Sequence, residues 1–267
     1  MLAALAHRFP GRAFAYLGDH ANAPYGERST EEIIDLTRQG VERLFRHGCR
    51  LVVLGCNTAT AAAARPLQQR WLPGSGWDGH NLLGIVAPTV EAATQTPWGI
   101  TAPQYPQKYT TDLVAVFGTV RTVASGVYPD EIRKRTPQVT VVQQAVPGLA
   151  AAIEHGEPPP RLTTMVREAV DAVLATTGGV APDRAILGCT HFPLVGDVFA
   201  EHLPPTTRIL SQPVAVADSL QDYLERHPEY DDRDGAGVTL LTTGRPDRVV
   251  GPARRFWPDV PAFIQAR

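Results

Sequence analysis

The sequence predicts an α/β fold made of two pseudo-symmetric domains with mainly parallel sheets and an active site in the interdomain cleft. Three observations lead to this prediction. Short apolar runs of strand length recur along the chain, helical stretches separate most of them, and one strand motif occurs twice, about half a chain apart. Alternating strands and helices are typical of parallel sheets, which carry ligand sites beyond the carboxyl ends of their strands.

The predicted strands are the short apolar runs bounded by turn-forming segments. They cover residues 13–17, 51–54, 82–86, 113–117, 139–142, 185–187 and 238–241. Residues 29–32 form a capping box, and apolar residues at helical spacing then predict a helix that ends near Gly48. The loop at 73–79 matches G-x-G-x-x-G, but no strand precedes it and no helix follows, so we interpret it as a surface loop.

The repeated motif is a strand followed by glycine, cysteine and two polar residues. It occurs at 51–58 (Leu-Val-Val-Leu-Gly-Cys-Asn-Thr) and at 184–191 (Arg-Ala-Ile-Leu-Gly-Cys-Thr-His). In both copies we expect the polar residues to open a helix. Two such half-sites predict two related domains that face each other across a cleft, each providing one cysteine.

The charge balance argues against two classes of partner. The chain has 25 basic and 27 acidic residues, a net charge of −2, so neither a phosphate-tracking surface nor a polybasic patch is expected. Nucleic acid and membrane surfaces are therefore not predicted partners. No apolar run approaches the roughly 20 residues of a membrane span, and the start at Met1 lacks a secretion pattern, so the expected compartment is the cytosol.

The sequence also argues against a bound cofactor or metal. Only two lysines occur, Lys108 and Lys134, and both lie in polar, loop-like surroundings. A pyridoxal phosphate enzyme needs a lysine for its Schiff base, and neither lysine suits that role. No C-x-x-C pair is present, and a zinc site would have to be assembled from scattered histidines, so no metal site is predicted.

The three cysteines are expected to be free thiols, because their number is odd and the chain is large. Cys49 has no polar companions, and we interpret it as a core residue. The duplicated context of Cys56 and Cys189 indicates function instead. A cysteine nucleophile with His191 as its base, as in thiol hydrolases, is the alternative, but it leaves Cys56 unexplained.

Cysteines at these positions suit acid-base chemistry. A thiol between a strand end and a helix start lies at the positive end of the helix dipole, so we expect its pKa to fall below the usual value of about 8.5. The adjacent backbone amides, with the polar side chains that follow each cysteine, are expected to hold a carboxylate. Inverting an α-carbon requires one acid-base group on each face. A thiolate and a thiol from two mirrored half-sites meet that requirement.

With these motifs identified, the sequence resembles glutamate racemases, which belong to the cofactor-independent aspartate/glutamate racemase superfamily. The resemblance extends from Met1 to the end of the chain. His191 points to the glutamate branch, since aspartate racemases typically carry a glutamate there. The matching segments are residues 24–29, 55–59, 118–119 with Thr122, Ser125 and Tyr128, 188–194, and 242–244.

The resemblance implies that Cys56 and Cys189 are the two catalytic bases, that His191 assists Cys189, and that Glu154 lies near the cleft. It also implies interconversion of L- and D-glutamate without a cofactor, which supplies D-glutamate for peptidoglycan, and it is compatible with a homodimer. The residues implied to line the substrate are Tyr25, Gly26, Asn57, Thr58, Thr119, Thr122, Thr190 and His191. Two alternatives stay open: Thr119 and Thr122 cap a helix, and Glu154 is a solvated helix residue.

The sequence departs from the family pattern at its start. Family members begin with a strand and an Asp-Ser-Gly-x-Gly-Gly loop, whereas residues 1–5 align with the helix that follows this loop. We therefore expect a start about 15–20 residues late, for which a wrongly chosen start codon is the simplest explanation. Without that central strand, its neighbours would lack backbone partners.

The predicted first domain comprises residues 1–90 with 211–267, and the second comprises 91–210. Two kinds of alternative function stay open. One is another superfamily activity, namely aspartate racemase, hydantoin racemase or a decarboxylase that uses one cysteine. The other is a non-catalytic binding protein derived from a racemase, motivated by the absent Asp-Ser-Gly loop.

Overall fold

The computed structural model describes residues 1–97, 99–100, 102–107, 111–232, 235–254 and 257–266. These residues form an α/β structure in which every strand pairing is parallel. The strands are β1 (Ala13–Gly18), β2 (Leu51–Leu54), β3 (Asn81–Gly84), β4 (Leu113–Gly118), β5 (Thr140–Ala145), β6 (Arg184–Gly188), β7 (Arg208–Leu210), β8 (Gly237–Thr242) and β9 (Phe263–Gln265). The fold class predicted from the sequence is confirmed.

The helices fill the intervals between the strands. They are α1 (Leu2–Arg8), α2 (Thr30–Arg46), α3 (Asn57–Pro66), α4 (Val86–Thr94), α5 (Val120–Ala124), α6 (Val127–Arg135), α7 (Leu149–His155), α8 (Pro159–Thr176), α9 (Gly196–His202), α10 (Gln212–Arg226) and α11 (Pro246–Ala253). Short 3-10 helices lie at Tyr25–Glu27, Phe192–Val195 and Pro228–Tyr230, and a π-helical turn lies at Leu67–Trp71.

All seven predicted strands are present, but their bounds differ from the predicted ones by up to three residues, the largest shift being at the end of β5, and the structure adds two strands. The run at 82–86 ends as a strand at Gly84, because Val86 already starts α4. The strands β7 and β9 were not predicted. Each has three residues, and such short segments carry little periodic signal.

The predicted capping box at the start of α2 is confirmed. Ser29 Oγ accepts a hydrogen bond from the Glu32 backbone N–H at 3.2 Å, and the Ser29 backbone N–H donates to Glu32 Oε2 at 2.9 Å. Both bonds satisfy donors that the first turn of a helix otherwise leaves without partners.

Replacing Ser29 by alanine is therefore expected to lower the free energy of unfolding by about 1 kcal/mol, the usual loss for a serine N-cap. Urea denaturation followed by circular dichroism measures the change. Thr30→Ala is the matched control, because Thr30 lies next to Ser29 but is not the capping residue. An equal effect of both substitutions would contradict the assigned role of the cap.

A four-stranded sheet of order β5-β4-β6-β7 holds one hydrophobic core on each face. All residues of β4 and β6 are buried. Phe117 and Leu187 pack into the cluster on one face, whereas Val116 and Ile186 pack into the cluster on the other. Central parallel strands are covered on both faces, which explains why these segments read as continuous apolar runs.

The remaining strands form a three-stranded sheet, β1-β8-β9, and a two-stranded sheet, β2-β3. Within the described residues, β1 and β2 each have one edge without a strand partner. The two sheets nevertheless share a hydrophobic layer, since Phe14 of β1 and Val53 of β2 pack against the same cluster, which includes Leu5 and Ile85.

The chain passes twice between these sheets and the four-stranded sheet. The helix α4 connects β3 to β4, and α10 connects β7 to β8. Both cysteines lie in loops at the carboxyl ends of these parallel strands. The domain boundaries at 90/91 and 210/211 stay a prediction.

The prediction that Lys134 lies in loop-like surroundings is wrong. Lys134 is part of α6, and its Nζ donates to Glu131 Oε1 at 2.7 Å. Lys108 lies outside the described residues. Among the helices that the structure describes, none is long and apolar enough to cross a membrane.

Candidate active site

Cys56 lies between the end of β2 and the start of α3, where it is the N-cap residue. Its backbone is extended, with φ −136° and ψ 127°, and its Sγ accepts a hydrogen bond from the Ala59 backbone N–H at 3.5 Å. The predicted strand-glycine-cysteine-helix arrangement is confirmed for this half-site. The first turn of α3 thus directs backbone donors at the thiol, as expected for the start of a helix.

The predicted direction of the Cys56 pKa is wrong. Burial raises the pKa of the Cys56 thiol, the Ala59 N–H opposes this, and nearby Cys189 raises it further. The helix terminus therefore does not outweigh desolvation here, because removing water penalises the charged thiolate. Cys56 rests as a thiol at neutral pH in this structure.

Cys189 follows β6, but its surroundings differ from those of Cys56. The side chain is buried, with 6% of its surface exposed. No α-helix opens directly after it, contrary to our expectation, since a 3-10 helix at Phe192–Val195 precedes α9, which begins at Gly196. Consequently, the helix-dipole argument does not carry over to this half-site.

At Cys189 a histidine side chain, rather than a helix terminus, contacts the sulfur. The Nδ1 of His191 lies 3.8 Å from Cys189 Sγ, and its Nε2 lies 2.7 Å from Glu154 Oε1. Burial by itself lowers the pKa of His191, but the hydrogen bonds to Cys189 and Glu154 raise it to about 10. The imidazole is therefore protonated at neutral pH, and it places a positive charge next to the Cys189 sulfur.

Glu154 comes from α7 and completes a row of three groups with His191 and Cys189. Its hydrogen bond to His191 lowers the pKa of the Glu154 carboxyl, so that it stays ionised. An ionised carboxylate on one ring nitrogen orients the other nitrogen toward the sulfur. The catalytic role of Glu154 stays a prediction, and this geometry supplies the physical argument for it.

Replacing Glu154 by glutamine is expected to lower the pKa of His191, because one of the two partners that raise it loses its charge. The imidazolium exists only below the pKa of His191, so the decline of the kcat of the proposed racemisation at high pH should move to lower pH. Protonated His191 also stabilises the fold. This contribution is fully present below the unfolded pKa of about 6.5 and is lost as the pH rises through the folded pKa, so in Glu154→Gln it should be lost at a lower pH.

An NMR titration of the His191 ring, together with kcat measured against pH, tests this expectation. Glu157→Gln is the control, because Glu157 contacts Arg161 rather than the histidine. A His191 pKa that is equal in wild type and Glu154→Gln would rule out the assigned contact.

Three threonine hydroxyls, from α3 and from the start of α5, form a cluster. The Thr58 Oγ1 lies 3.0 Å from Thr119 Oγ1 and 3.3 Å from Thr122 Oγ1, and the last two lie 3.1 Å apart. Thr119 is also the N-cap of α5, so the alternative of a helix-capping role is correct for that residue. The arrangement offers several hydroxyl donors next to Cys56, a suitable environment for a carboxylate.

Tyr25 and Gly26 lie on a 3-10 helix that reaches the start of α5. A Cβ on Gly26 would lie 3.1 Å from Thr119 Cβ, so the close approach favours glycine. The Tyr25 hydroxyl donates to Asp19 Oδ2 at 2.5 Å. Burial and this bond raise the pKa of Tyr25, which therefore keeps its proton.

The sequence reasoning missed Asp19 and His20, which follow β1 directly. Asp19 accepts hydrogen bonds from Tyr25 and from the Thr243 hydroxyl, the latter at 2.6 Å. The Nδ1 of His20 lies 2.8 Å from Thr242 Oγ1. Burial lowers the pKa of His20, while Glu154 opposes this. The available signal was the polar pair after a predicted strand, the same signal that identified both cysteine loops.

The two remaining predicted substrate residues differ in exposure. Asn57 is buried, with 2% of its surface exposed, and its side-chain amide bonds to Gln212 and Tyr128. Thr190 is half-buried beside Cys189. Cys49 packs against the core cluster around Phe45, as predicted. In the described part of the chain, no three His, Cys, Asp or Glu residues are placed to hold a metal ion.

Known proteins place this chain in a family. The family model described as Asp/Glu/Hydantoin racemase matches residues 1–221. The chain is similar to a glutamate racemase of Phenylobacterium zucineum, with 48% identity over 257 residues that cover 95% of this chain and 90% of the relative. It is also similar to one of a Caulobacter species, with 47% identity over 258 residues that cover 95% and 91%.

Solved structures show the same fold. A glutamate racemase of Bacillus anthracis superposes with a TM-score of 0.84 at 25% identity and covers 100% of this chain and 92% of that chain. One of Thermus thermophilus superposes with a TM-score of 0.77 at 25% identity and covers 99% and 90%. The family resemblance inferred from the sequence is confirmed, and this chain belongs to the Asp/Glu/Hydantoin racemase family.

Proposed function

We propose that this protein interconverts L- and D-glutamate by two-base proton transfer at the α-carbon. The observation that carries the proposal is the pair of cysteines at the carboxyl ends of β2 and β6, one from each sheet system. They lie close enough for Cys189 to raise the pKa of Cys56. The curated relatives described above, which are named glutamate racemases, support glutamate as the substrate.

One thiolate removes the α-proton, and the electron pair of the broken Cα–H bond delocalises into the α-carboxylate. The opposite thiol then gives its proton to the other face of the same carbon. The protonation states of the two sulfurs are exchanged after one turnover, and the reverse reaction restores them. No cofactor is needed, because the two thiols perform both proton transfers.

The two half-sites surround their sulfurs with different groups. At Cys189 the His191 imidazolium, oriented by Glu154, provides a positive charge. At Cys56 the N-terminal turn of α3 provides backbone donors. We assign Cys56 and Cys189 as the bases, and His191 and Glu154 as the groups that support Cys189.

The carboxylates of the substrate are assigned to the polar groups around the thiols. The hydroxyl cluster of Thr58, Thr119 and Thr122 offers donors near Cys56. We further propose that the reaction takes place in the cytosol and that, as the family resemblance implies, it supplies D-glutamate for peptidoglycan. The other groups assigned to the substrate are Tyr25, Gly26, Thr190 and the backbone N–H of Asn57.

Incubation of the purified protein with each enantiomer of glutamate and of aspartate, and with a 5-substituted hydantoin, tests this function. Circular dichroism of the substrate follows the loss of optical activity. We expect both glutamate enantiomers to racemise, with kcat/KM for aspartate and hydantoin at least about a hundredfold lower, because the site should discriminate side-chain length through fixed hydrogen bonds. Faster turnover of aspartate or hydantoin would overturn the proposal, as would a folded protein that binds glutamate without racemising it.

A further inference from the structure

Four buried polar side chains form a hydrogen-bonded network directly behind Cys56. The Asn57 Nδ2 donates to Gln212 Oε1 at 2.9 Å, and the Gln212 Nε2 donates to Asn57 Oδ1 at 3.0 Å, so the two amides pair reciprocally. The Tyr128 hydroxyl donates to Asn57 Oδ1 at 2.6 Å. The Gln212 Nε2 also lies 2.8 Å from Thr89 Oγ1. None of the four side chains is more than 2% exposed.

The network joins both connections between the sheet systems. Thr89 lies in α4, where the chain leaves the β2-β3 sheet for the four-stranded sheet, and Gln212 is the first residue of α10, where the chain returns. Tyr128 belongs to α6, which packs against the four-stranded sheet. Asn57 is the first residue of α3 and the neighbour of Cys56 in sequence.

Gln212 holds the centre of this network, because it bonds to all three other members. Removing its amide would leave donors and acceptors of Asn57, Tyr128 and Thr89 without their buried partner. A buried polar group that loses its partner moves or admits water, at a free-energy cost well above that of an exposed group. Asn57 opens the first turn of α3, and the Ala59 N–H of the same turn contacts the Cys56 sulfur.

We propose that Gln212 is a positioning residue for Cys56, acting through Asn57, and that it ties the position of this thiol to both interdomain connections. The inference rests on the proposed racemase function, since it assigns to Cys56 one of the two proton transfers. Gln212 touches neither sulfur. It sets where the Cys56 thiol lies relative to the substrate α-carbon.

Gln212→Leu removes the amide and keeps a similar volume, whereas Gln221→Leu, farther along α10, is the matched control whose amide bonds to Glu225 at the surface. We expect kcat/KM for glutamate racemisation to fall on the order of tenfold or more in Gln212→Leu, as for a lost buried hydrogen-bond partner. The control should stay within about twofold, since surface substitutions change little.

Deuterium isotope effects on kcat/KM with 2-deuterated L- and D-glutamate separate positioning from general damage. When transfer at Cys56 alone is slowed, the isotope effect should rise for the enantiomer that Cys56 deprotonates. It should fall for the other enantiomer, whose deuterium is removed by Cys189. A loss of folded protein lowers both rates but leaves both isotope effects at their wild-type values. Wild-type isotope effects for both enantiomers in a folded Gln212→Leu, or a kcat/KM within twofold of wild type, would overturn the proposal.

A second measurement does not depend on racemisation. The rate at which iodoacetamide alkylates Cys56, followed by mass spectrometry of its peptide against pH, reports the pKa of this thiol. We expect that pKa to change in Gln212→Leu and to stay unchanged in Gln221→Leu. If wild type fails to racemise glutamate, the proposed function fails while this readout still decides the role of Gln212. Should Gln212→Leu not fold, Tyr128→Phe removes one hydroxyl of the same network and undergoes both tests, with the same outcomes required.

Discussion

Replacing either Cys56 or Cys189 by serine is expected to reduce kcat for glutamate racemisation by about 10²–10⁴-fold, the usual contribution of a positioned acid-base group. A serine hydroxyl has nearly the size of a thiol, but it does not ionise near neutral pH and cannot act as the base. Each substitution removes one of two transfers that must both occur. The two losses should therefore be similar in size, although the half-sites are built differently.

Solvent deuterium distinguishes this mechanism from one that uses a single base. In D₂O each single variant retains one thiol, which still removes the α-proton of one enantiomer and returns deuterium to the same face. We expect Cys56→Ser to exchange only one glutamate enantiomer and Cys189→Ser only the other, with mass spectrometry and chiral chromatography as the measurements. Cys49→Ser is the control, because Cys49 packs against the core cluster around Phe45. Full activity in either active-site variant would disprove the two-base mechanism.

Replacing Glu131 by alanine is expected to lower the free energy of unfolding by about 3–5 kcal/mol, the typical cost of breaking a buried ion pair. The Glu131 side chain is 4% exposed and contacts three cations. Lys134 Nζ lies 2.7 Å and Arg135 Nη1 2.9 Å from its oxygens, and Arg65 of α3 pairs with it as well. Because α3 carries the Cys56 half-site and Glu131 lies in α6, this cluster also joins the two halves of the molecule.

The cations also determine how this stabilisation depends on pH. Burial by itself raises the pKa of Glu131, but the hydrogen bonds from Lys134 and Arg135, together with the charge of Arg65, lower it below the ordinary value. A carboxyl with a lowered folded pKa stabilises the fold above its unfolded pKa of about 4.3, and this contribution is lost as the pH falls through the folded pKa. The difference between wild type and Glu131→Ala should accordingly shrink under acid conditions.

Urea denaturation at pH 7 and at acid pH measures the effect. Asp130→Ala is the matched control, since its exposed carboxylate lies 3.8 Å from Arg133, and exposed pairs contribute at most about 1 kcal/mol. A loss below about 1 kcal/mol for Glu131→Ala would show that the buried cluster does not stabilise the fold.

Local pattern was sufficient for most of the fold. The apolar run of β4, the capping box at Ser29 and the cysteine loop after β2 are all recognisable within about ten residues, because strand pleating, helix capping and strand-end loops are short-range properties. The prediction was less accurate where such a short segment carries no pattern of its own. The strands β7 and β9 are too short for a periodic signal, and the assignment of a helix directly after Cys189 relied on similarity to the Cys56 loop.

The candidate site shows the same division. The two cysteines, Thr58, Thr190 and His191 were identified from residue type and spacing, whereas Thr119, Thr122 and Glu154 were implied by the family resemblance. Asp19 was missed, because its importance comes from Tyr25 and from Thr243, which lies near the other end of the chain. Gln212 was missed for the same reason, since it meets Asn57 only after the chain has returned through α10.

From the amino-acid order alone follow the α/β class, the two cysteine half-sites and the family, because each depends on residue types within short segments. The unequal chemistry of the half-sites emerges only from the folded chain. Burial raises the pKa of Cys56 more than the backbone N–H of Ala59 at the start of α3 lowers it. Beside Cys189, the contact with Glu154 helps to keep His191 protonated and positively charged. Desolvation and charge contacts depend on atoms brought together from distant parts of the chain, and no local pattern encodes their balance.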